Sequence, residues 1–205
     1  MVDRRVLFFG DSHVLGFRDP AGLGWPGRIA GASAAEGLPF TSYNLGVRAQ
    51  TSVEVAERWE REAACRIVPG ADCRVVFSFG VNDTTISDGE VRVEPARSAA
   101  AFGGDPRWRR RPGTPRSLVG PAPVADDQHS ERIAKLSDAF AEVCRESNVP
   151  YVSVVKELQG NAIWREEAAG HDGAHPAARG YQLLTDAVLA AVWTDWLSKP
   201  REVKP

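Results

Sequence analysis

Cysteine is scarce in this sequence, positive and negative charge nearly cancel, and no long apolar run opens the chain. The three cysteines among 205 residues, Cys65, Cys73 and Cys144, form no C-x-x-C pair. Their odd number leaves at least one thiol outside any disulfide framework, so reduced, mostly buried thiols are expected. A formal net charge of −2 and a pI near 6.1 give no general attraction to nucleic acid or to anionic membranes, and neither is expected as a partner. After Met1-Val2-Asp3-Arg4-Arg5 the apolar run Val6 to Phe9 stops at Gly10, far short of a leader's apolar region or a membrane span. A cytoplasmic protein is the resulting expectation. Internal repeats and low-complexity tracts are absent as well.

What is present is a balance of 43% hydrophobic and 25% charged residues, suited to one globular domain with a sizeable core. Residues 1–198 are assigned to that domain and 199–205 to a polar tail. Short β-branched or aromatic runs alternate with helix-length amphipathic segments, as in a parallel sheet covered by helices on both faces. The expected fold class is therefore α/β. Its strands are read at Arg5–Phe9, Thr41–Leu45, Arg74–Phe79, Ser117–Val119 and Tyr151–Val155. Near-continuous apolar character in the first, third and fifth suits burial on both sides.

Thr51-x-x-Glu54 is a capping box ahead of Val55, Ala56, Trp59 and Ala63, which predicts a helix to about Cys65. A second helix is predicted from Asp127 to Asn148, with Ile133, Leu136, Phe140, Val143 and Cys144 on one face and Asn148-Val149-Pro150 as its stop. A last helix begins at Pro176 and carries Tyr181, Leu184, Val188, Ala191 and Val192 to an end near Leu197. Between Thr84 and Arg116 only Pro95 to Phe102 reads as helical, and the rest is a long excursion. There Pro106, Pro112 and Pro115 bracket Trp108 and the cluster Arg107, Arg109, Arg110 and Arg111. It is read as a solvated loop, with a lid, an anion site or a partner contact as alternatives.

Three polar loops directly follow strand candidates: Gly10-Asp11-Ser12, Asn44-Leu45-Gly46 and Gly80-Val81-Asn82-Asp83. In an open parallel sheet such loops all emerge at the carboxyl edge, so Ser12, Gly46 and Asn82 are expected to be neighbours. A fourth, Asp172-Gly173-Ala174-His175-Pro176, precedes the last helix. It offers an imidazole and a carboxylate that can turn back to orient it. A serine hydroxyl needs such a base to act as a nucleophile, and the base needs a group that fixes its tautomer. Ser12, His175 and Asp172 fill those roles. Negative charge developing on a carbonyl oxygen would be held by the backbone N–H groups of Ser12 and Gly46 and by the Asn82 amide.

These four blocks, with Phe9 ahead of Gly10, occur in the order and spacing of the signature blocks of the GDSL/SGNH hydrolases, a family this sequence resembles along most of its length. Gly120-Pro121-Ala122-Pro123-Val124 and Gly180-Tyr181 are similar to that family too. The resemblance implies a flavodoxin-like three-layer α/β/α sandwich on a five-stranded parallel sheet. It also implies esterase, lipase or thioesterase activity on a small-molecule ester or thioester, with no metal or organic cofactor. His13 departs from the pattern, standing where a leucine usually follows the serine, and the stretch after Pro95 is poorer in helical pattern than the family's. An acyltransferase using the same residues, a flavodoxin-like binding module for flavin or nucleotide phosphate and a catalytically inactive relative stay open on sequence alone.

Other polar residues are read as structural. Asp11 and Asp83 are assigned to their own turns. His171 and His175 are four apart, but Gly173 and Pro176 argue against the helix a zinc pair would need. His13 and His129 are read as surface or packing residues, and Trp25, Trp59, Trp164, Trp193 and Trp196 as packing residues.

Overall fold

Val6, Leu7, Phe8 and Phe9 are completely buried, as a strand covered on both faces requires. They form the middle of β1 (Arg4–Gly10) in the computed structural model, which describes residues 2–103 and 114–200. After β1 come the short helix α1 (Ser12–Leu15), α2 (Gly24–Ala35), β2 (Thr41–Gly46), α3 (Ser52–Ala64) and β3 (Asp72–Ser78). The chain continues through α4 (Pro95–Gly103), β4 (Arg116–Val119), α5 (Asp127–Glu146) and β5 (Tyr151–Val152). It closes with α6 (Val155–Gln159), α7 (Ala162–Ala169), α8 (Ala178–Val188), a π-helical stretch over Leu189–Trp193 and α9 (Thr194–Ser198).

The five strands make one wholly parallel sheet in the order β2-β1-β3-β4-β5. Alternation along β1 sends Val6 and Phe8 to one face, with Val76, Val119 and Val152 from neighbouring strands. Leu7 and Phe9 go to the other, with Val75, Phe77 and Leu118. Trp25 and Ile29 of α2 and Tyr181, Leu184 and Val188 of α8 cover the first face. Helices α3, α4 and α5 cover the second through Val55, Trp59, Phe102, Leu136 and Phe140. This division follows from handedness. The step from β1 to β2 runs opposite to the later steps, so right-handed crossovers place α2 on one side and α3, α4 and α5 on the other. The expected α/β/α architecture with five parallel strands is what forms.

Differences from the sequence expectations have local causes. The last strand stops at Val152, because its one neighbour, β4, ends at Val119, and Gly120-Pro121 follows with a residue that has no N–H to donate. Ser153 to Val155 therefore leave the sheet and lead into α6. Helix α2 was not foreseen, since Gly24, Gly27 and Gly31 lower helix propensity; tertiary contact supplies the difference, including a 2.8 Å bond from Trp193 Nε1 to Ser33 Oγ. Helix α7 was also missed, although Asn161 caps it by accepting the N–H groups of Ile163 and Trp164. Within the excursion after Thr84, Ile86–Ser87 pairs with Glu90–Val91. Positive φ at both Asp88 and Gly89 closes that hairpin, and this Asp-Gly pair was a readable signal. The expected arginine cluster around Trp108 lies outside the described residues.

The five tryptophans read as packing residues are all buried, as are Cys73 and Cys144, while Cys65 is exposed. One buried charge ties the C-terminus to the sheet. Arg74, only 1% exposed, donates from Nε and Nη2 to the two carboxylate oxygens of Asp72, each at 3.0 Å. It also donates to the carbonyls of Trp196 and Lys199, within and just beyond the last turn. A helix C-terminus leaves such carbonyls without partners, and a cation is favoured there. No helix among the described residues is long and apolar enough to cross a membrane.

Removing Arg74 would leave the buried Asp72 with Arg4 as its remaining ion partner and the carbonyls of Trp196 and Lys199 without their donor. Arg74→Met is expected to lower unfolding free energy by about 3–5 kcal/mol, read from urea denaturation, whereas Arg145→Ala, at an exposed pair on α5, should leave the midpoint where it is.

Candidate active site

The site begins with two glycines that let α1 fold back onto the sheet edge. A Cβ on Gly10 would lie 1.9 Å from the Ser78 carbonyl oxygen and 2.4 Å from Val14 Cγ2. A Cβ on Gly46 would lie 2.2 Å from Leu15 N. Register alignment puts Gly10 beside both Gly46 and Ser78, so the loops after β1, β2 and β3 meet at the switch point of the strand order, where open α/β sheets bind ligands. Asp11 caps α1, its Oδ1 accepting the N–H of His13 at 2.9 Å. Ser12 then occupies the first turn. On the other side of the edge, Arg58 of α3 donates to the carbonyls of Gly10 at 3.0 Å and Leu45 at 2.8 Å, holding the two strand ends together.

The C-terminal loop supplies the partner side chain. Asp172 Oδ1 accepts the backbone N–H groups of Ala174 and His175 at 3.1 and 3.0 Å, which folds the loop back on itself. Its Oδ2 lies 2.9 Å from His175 Nδ1. His175 Nε2 lies 2.7 Å from Ser12 Oγ, across 163 positions of sequence. A carboxylate can only accept, so Nδ1 carries a proton and Nε2 faces the hydroxyl as the acceptor. The three residues assigned from sequence are therefore in hydrogen-bonded contact.

Burial disfavours the charged imidazole and, with the neighbouring His13 ring, lowers the pKa of His175 to about 4 against the raising effect of Asp172. For Asp172 burial acts upward, but the hydrogen bonds from His175 and Ala174 outweigh it and hold the carboxyl well below its usual range. Arg18 Nε is 3.6 Å from Asp172 Oδ2. The Phe17 ring meets His175 edge-on at 5.0 Å, and the Arg48 guanidinium sits 3.7 Å from the Phe17 centroid. Tyr181 fixes this wall by donating from its hydroxyl to the Phe17 carbonyl at 2.7 Å.

The three expected donors differ in their engagement. The Ser12 N–H has no acceptor among the described residues. Asn82 donates one amide hydrogen to the Gln50 carbonyl at 2.9 Å, leaving its second. The Gly46 N–H is taken by its neighbour Asn44 Oδ1 at 3.0 Å, and its missing side chain serves the packing of α1. Asn44 in turn donates to the Val14 carbonyl at 2.8 Å.

Asp11 caps its own turn as expected, whereas the Asp83 side chain, expected to brace its own turn, reaches to two other elements instead. Asp83 is fully buried and accepts from Ser52 and Ser98, joining α3 to α4; burial raises its pKa despite those bonds. His129 bonds Thr84 Oγ1 at 3.0 Å and does not approach Ser12's partners. His171 and His175 lie in a non-helical loop. Among the described residues no three His, Cys, Asp or Glu side chains converge as a metal-binding group. Arg58 and His13 were missed as site residues. Arg58 had left a trace, a charge one position from Trp59 on the apolar face of α3, whereas nothing in the sequence marked the contacts of His13.

Residues 8–183 match the GDSL-like Lipase/Acylhydrolase family, and the chain belongs to it. It is accordingly an ester-hydrolysing enzyme. No curated protein matches the sequence. Among solved structures, a lipase/acylhydrolase from Enterococcus faecalis superposes with a TM-score of 0.73 at 23% identity, over 92% of this chain and 95% of that one. An acetylxylan esterase from Geobacillus stearothermophilus gives 0.71 at 18% identity, covering 97% of each. A member of the lipolytic G-D-S-L family from Veillonella parvula gives 0.72 at 16%, over 93% and 98%. At these identities the likeness is one of fold.

The lowered His175 pKa links the site to stability. Between about 4 and 6.5 the unfolded chain holds a proton at His175 that the folded chain does not, so stability falls as pH drops through that window. Asp172 acts in the same direction at lower pH. Thermal midpoints across this range should show the slope, and His175→Gln should flatten it.

Proposed function

We propose that the protein hydrolyses a carboxylic ester or thioester by two-step acyl transfer, with Ser12, His175 and Asp172 as its triad. The carrying observation is the continuous chain of bonds from Asp172 through His175 to Ser12, 2.9 and 2.7 Å long. His175 Nε2 takes the hydroxyl proton as Ser12 Oγ bonds to the carbonyl carbon. Collapse of the tetrahedral adduct breaks the bond to the leaving oxygen or sulfur, which receives that proton from His175. Water, deprotonated at the same nitrogen, then attacks the acyl-enzyme, and Ser12 Oγ departs with the proton.

The oxyanion is held by the Ser12 N–H and the second Asn82 amide hydrogen, each contributing about 3–4 kcal/mol in the transition state. Gly46 joins them as its N–H turns from Asn44 Oδ1 to the substrate oxygen. Asp172 holds the imidazole in the productive tautomer and stabilises its positive form.

A fluorophosphonate probe is expected to label Ser12, and Ser12→Ala to abolish both labelling and turnover of a p-nitrophenyl ester series. Labelling elsewhere, or turnover surviving in S12A, would contradict the assignment. Asp172→Asn is expected to lower kcat by roughly two to four orders of magnitude with little change in KM. Since neutral His175 is the competent form, kcat/KM should hold from neutrality down to the region of pH 4 and fall below it. Parallel assays with ester and thioester substrates of increasing chain length define the acyl and leaving groups.

A further inference from the structure

The residue after the nucleophile reaches the histidine loop from behind. His13 is 3% exposed. Its Nε2 lies 3.1 Å from the carbonyl oxygen of Ala174, the residue before His175. That oxygen can only accept, so Nε2 carries the proton and Nδ1 is the bare nitrogen. The His13 ring stacks on the His175 imidazole, centroids 4.8 Å apart and planes at 29°, and Trp164 lies parallel to it at 6.3 Å. His13 Nδ1 sits 3.8 Å from Asp11 Oδ1. Neither His13 Nδ1 nor Asp11 Oδ2 has a hydrogen-bond partner, although both are buried. A buried ring nitrogen and a buried carboxylate oxygen that both lack a partner are rare in a protein interior, and positive charge on the ring would face the Asp11 carboxylate at 3.8 Å, beyond hydrogen-bond reach but close enough for Coulomb attraction.

We propose that His13 is a positioning residue for the reaction described above: it anchors the His175 loop through Ala174 and, as a second stacked imidazole, opposes a positive charge on His175. A leucine at this position could do neither. Protonating both rings would put two like charges 4.8 Å apart in a poorly solvated place, where Coulomb repulsion is strong. The repulsion from His13 follows burial among the causes that lower the His175 pKa. Other groups face the pair. Asp11 and Asp172 favour positive charge on the rings, Arg18 beside Asp172 and Arg48 over Phe17 oppose it, and Tyr181, its pKa raised by burial, stays neutral. Like Asp172, His13 touches both the imidazole and its backbone loop, but it does so from a distant segment of the chain.

The inference rests on the triad reading, and two variants of the full chain test it. His13→Gln keeps an N–H donor for Ala174 but carries no charge; His13→Phe keeps a stacked ring but has no donor. For H13Q the acid limb of kcat/KM should move upward by about one pH unit, and an NMR titration of the His175 ring should move with it. For H13F the plateau kcat should fall by about tenfold with KM little altered. An acid limb that stays in place in folded H13Q, or a plateau kcat in folded H13F equal to that of the parent, would overturn the role. Should either variant fail to fold, 15N NMR of the parent's histidine rings decides: two mutually perturbed titrations support the coupling, and two independent single-site curves refute it. Fluorophosphonate labelling of the parent separates the failures. Without it the nucleophile assignment falls; with it intact, an unmoved limb removes His13 alone.

Discussion

The hydrogen bond between Ser12 and His175 joins the first loop of the chain to the last, and the rest of the architecture can be understood as what brings those two atoms to 2.7 Å. Ser12 is placed by the end of an interior strand buried from Val6 onward, His175 by a carboxylate-braced turn leading into α8. These two supports share a core. Trp25 of α2 and Tyr181 of α8 pack with Val6 and Phe8 on one sheet face, and the Tyr181 hydroxyl holds the carbonyl of Phe17 beside the imidazole. A shift of α8 against the sheet would therefore be felt at the bond between His175 and Ser12.

Polar groups near this bond divide into those that meet the His175 ring and those that hold backbone. Asp172 does both, closing its turn with one oxygen and meeting the imidazole with the other. Arg58 and Asp83 sit just behind the sheet edge, one tying the ends of β1 and β2, the other tying α3 to α4. Their burial is matched by hydrogen bonds to carbonyls and hydroxyls, which is the condition on which charge or polarity is tolerated in an interior. His13 and Asp11 break that condition at one atom each. The exception falls directly against the His175 imidazole, where an unfilled proton position has electrostatic consequences.

Much of this was readable before any coordinates. Short apolar, β-branched or aromatic runs marked the five strands and a 3.6-residue period marked three amphipathic helices, because a strand buried on both faces is apolar throughout and burial of one helix face leaves a periodic trace. That Ser12, Asp172 and His175 come together was readable, because a parallel sheet gathers the loops after its strands at one edge. Helix α2 was not readable, being rich in glycine and held by contacts with distant segments. Gly46 was assigned as a donor from its position, yet its N–H is drawn to Asn44, two residues earlier in the same strand. Such a local competition depends on one side chain's rotamer, which no spacing encodes.

By itself the sequence determined the alternation of elements, the polar loops at the strand ends and the residue types able to carry acyl transfer, since each depends on local chemistry and periodic burial. Tertiary structure decided which distant atoms touch: the 163-residue contact of His175 with Ser12, the capture of the last helical turn by Arg74, and the stacking of His13 on His175. Those are matters of packing between segments far apart in the chain, and packing is fixed only when the whole core closes.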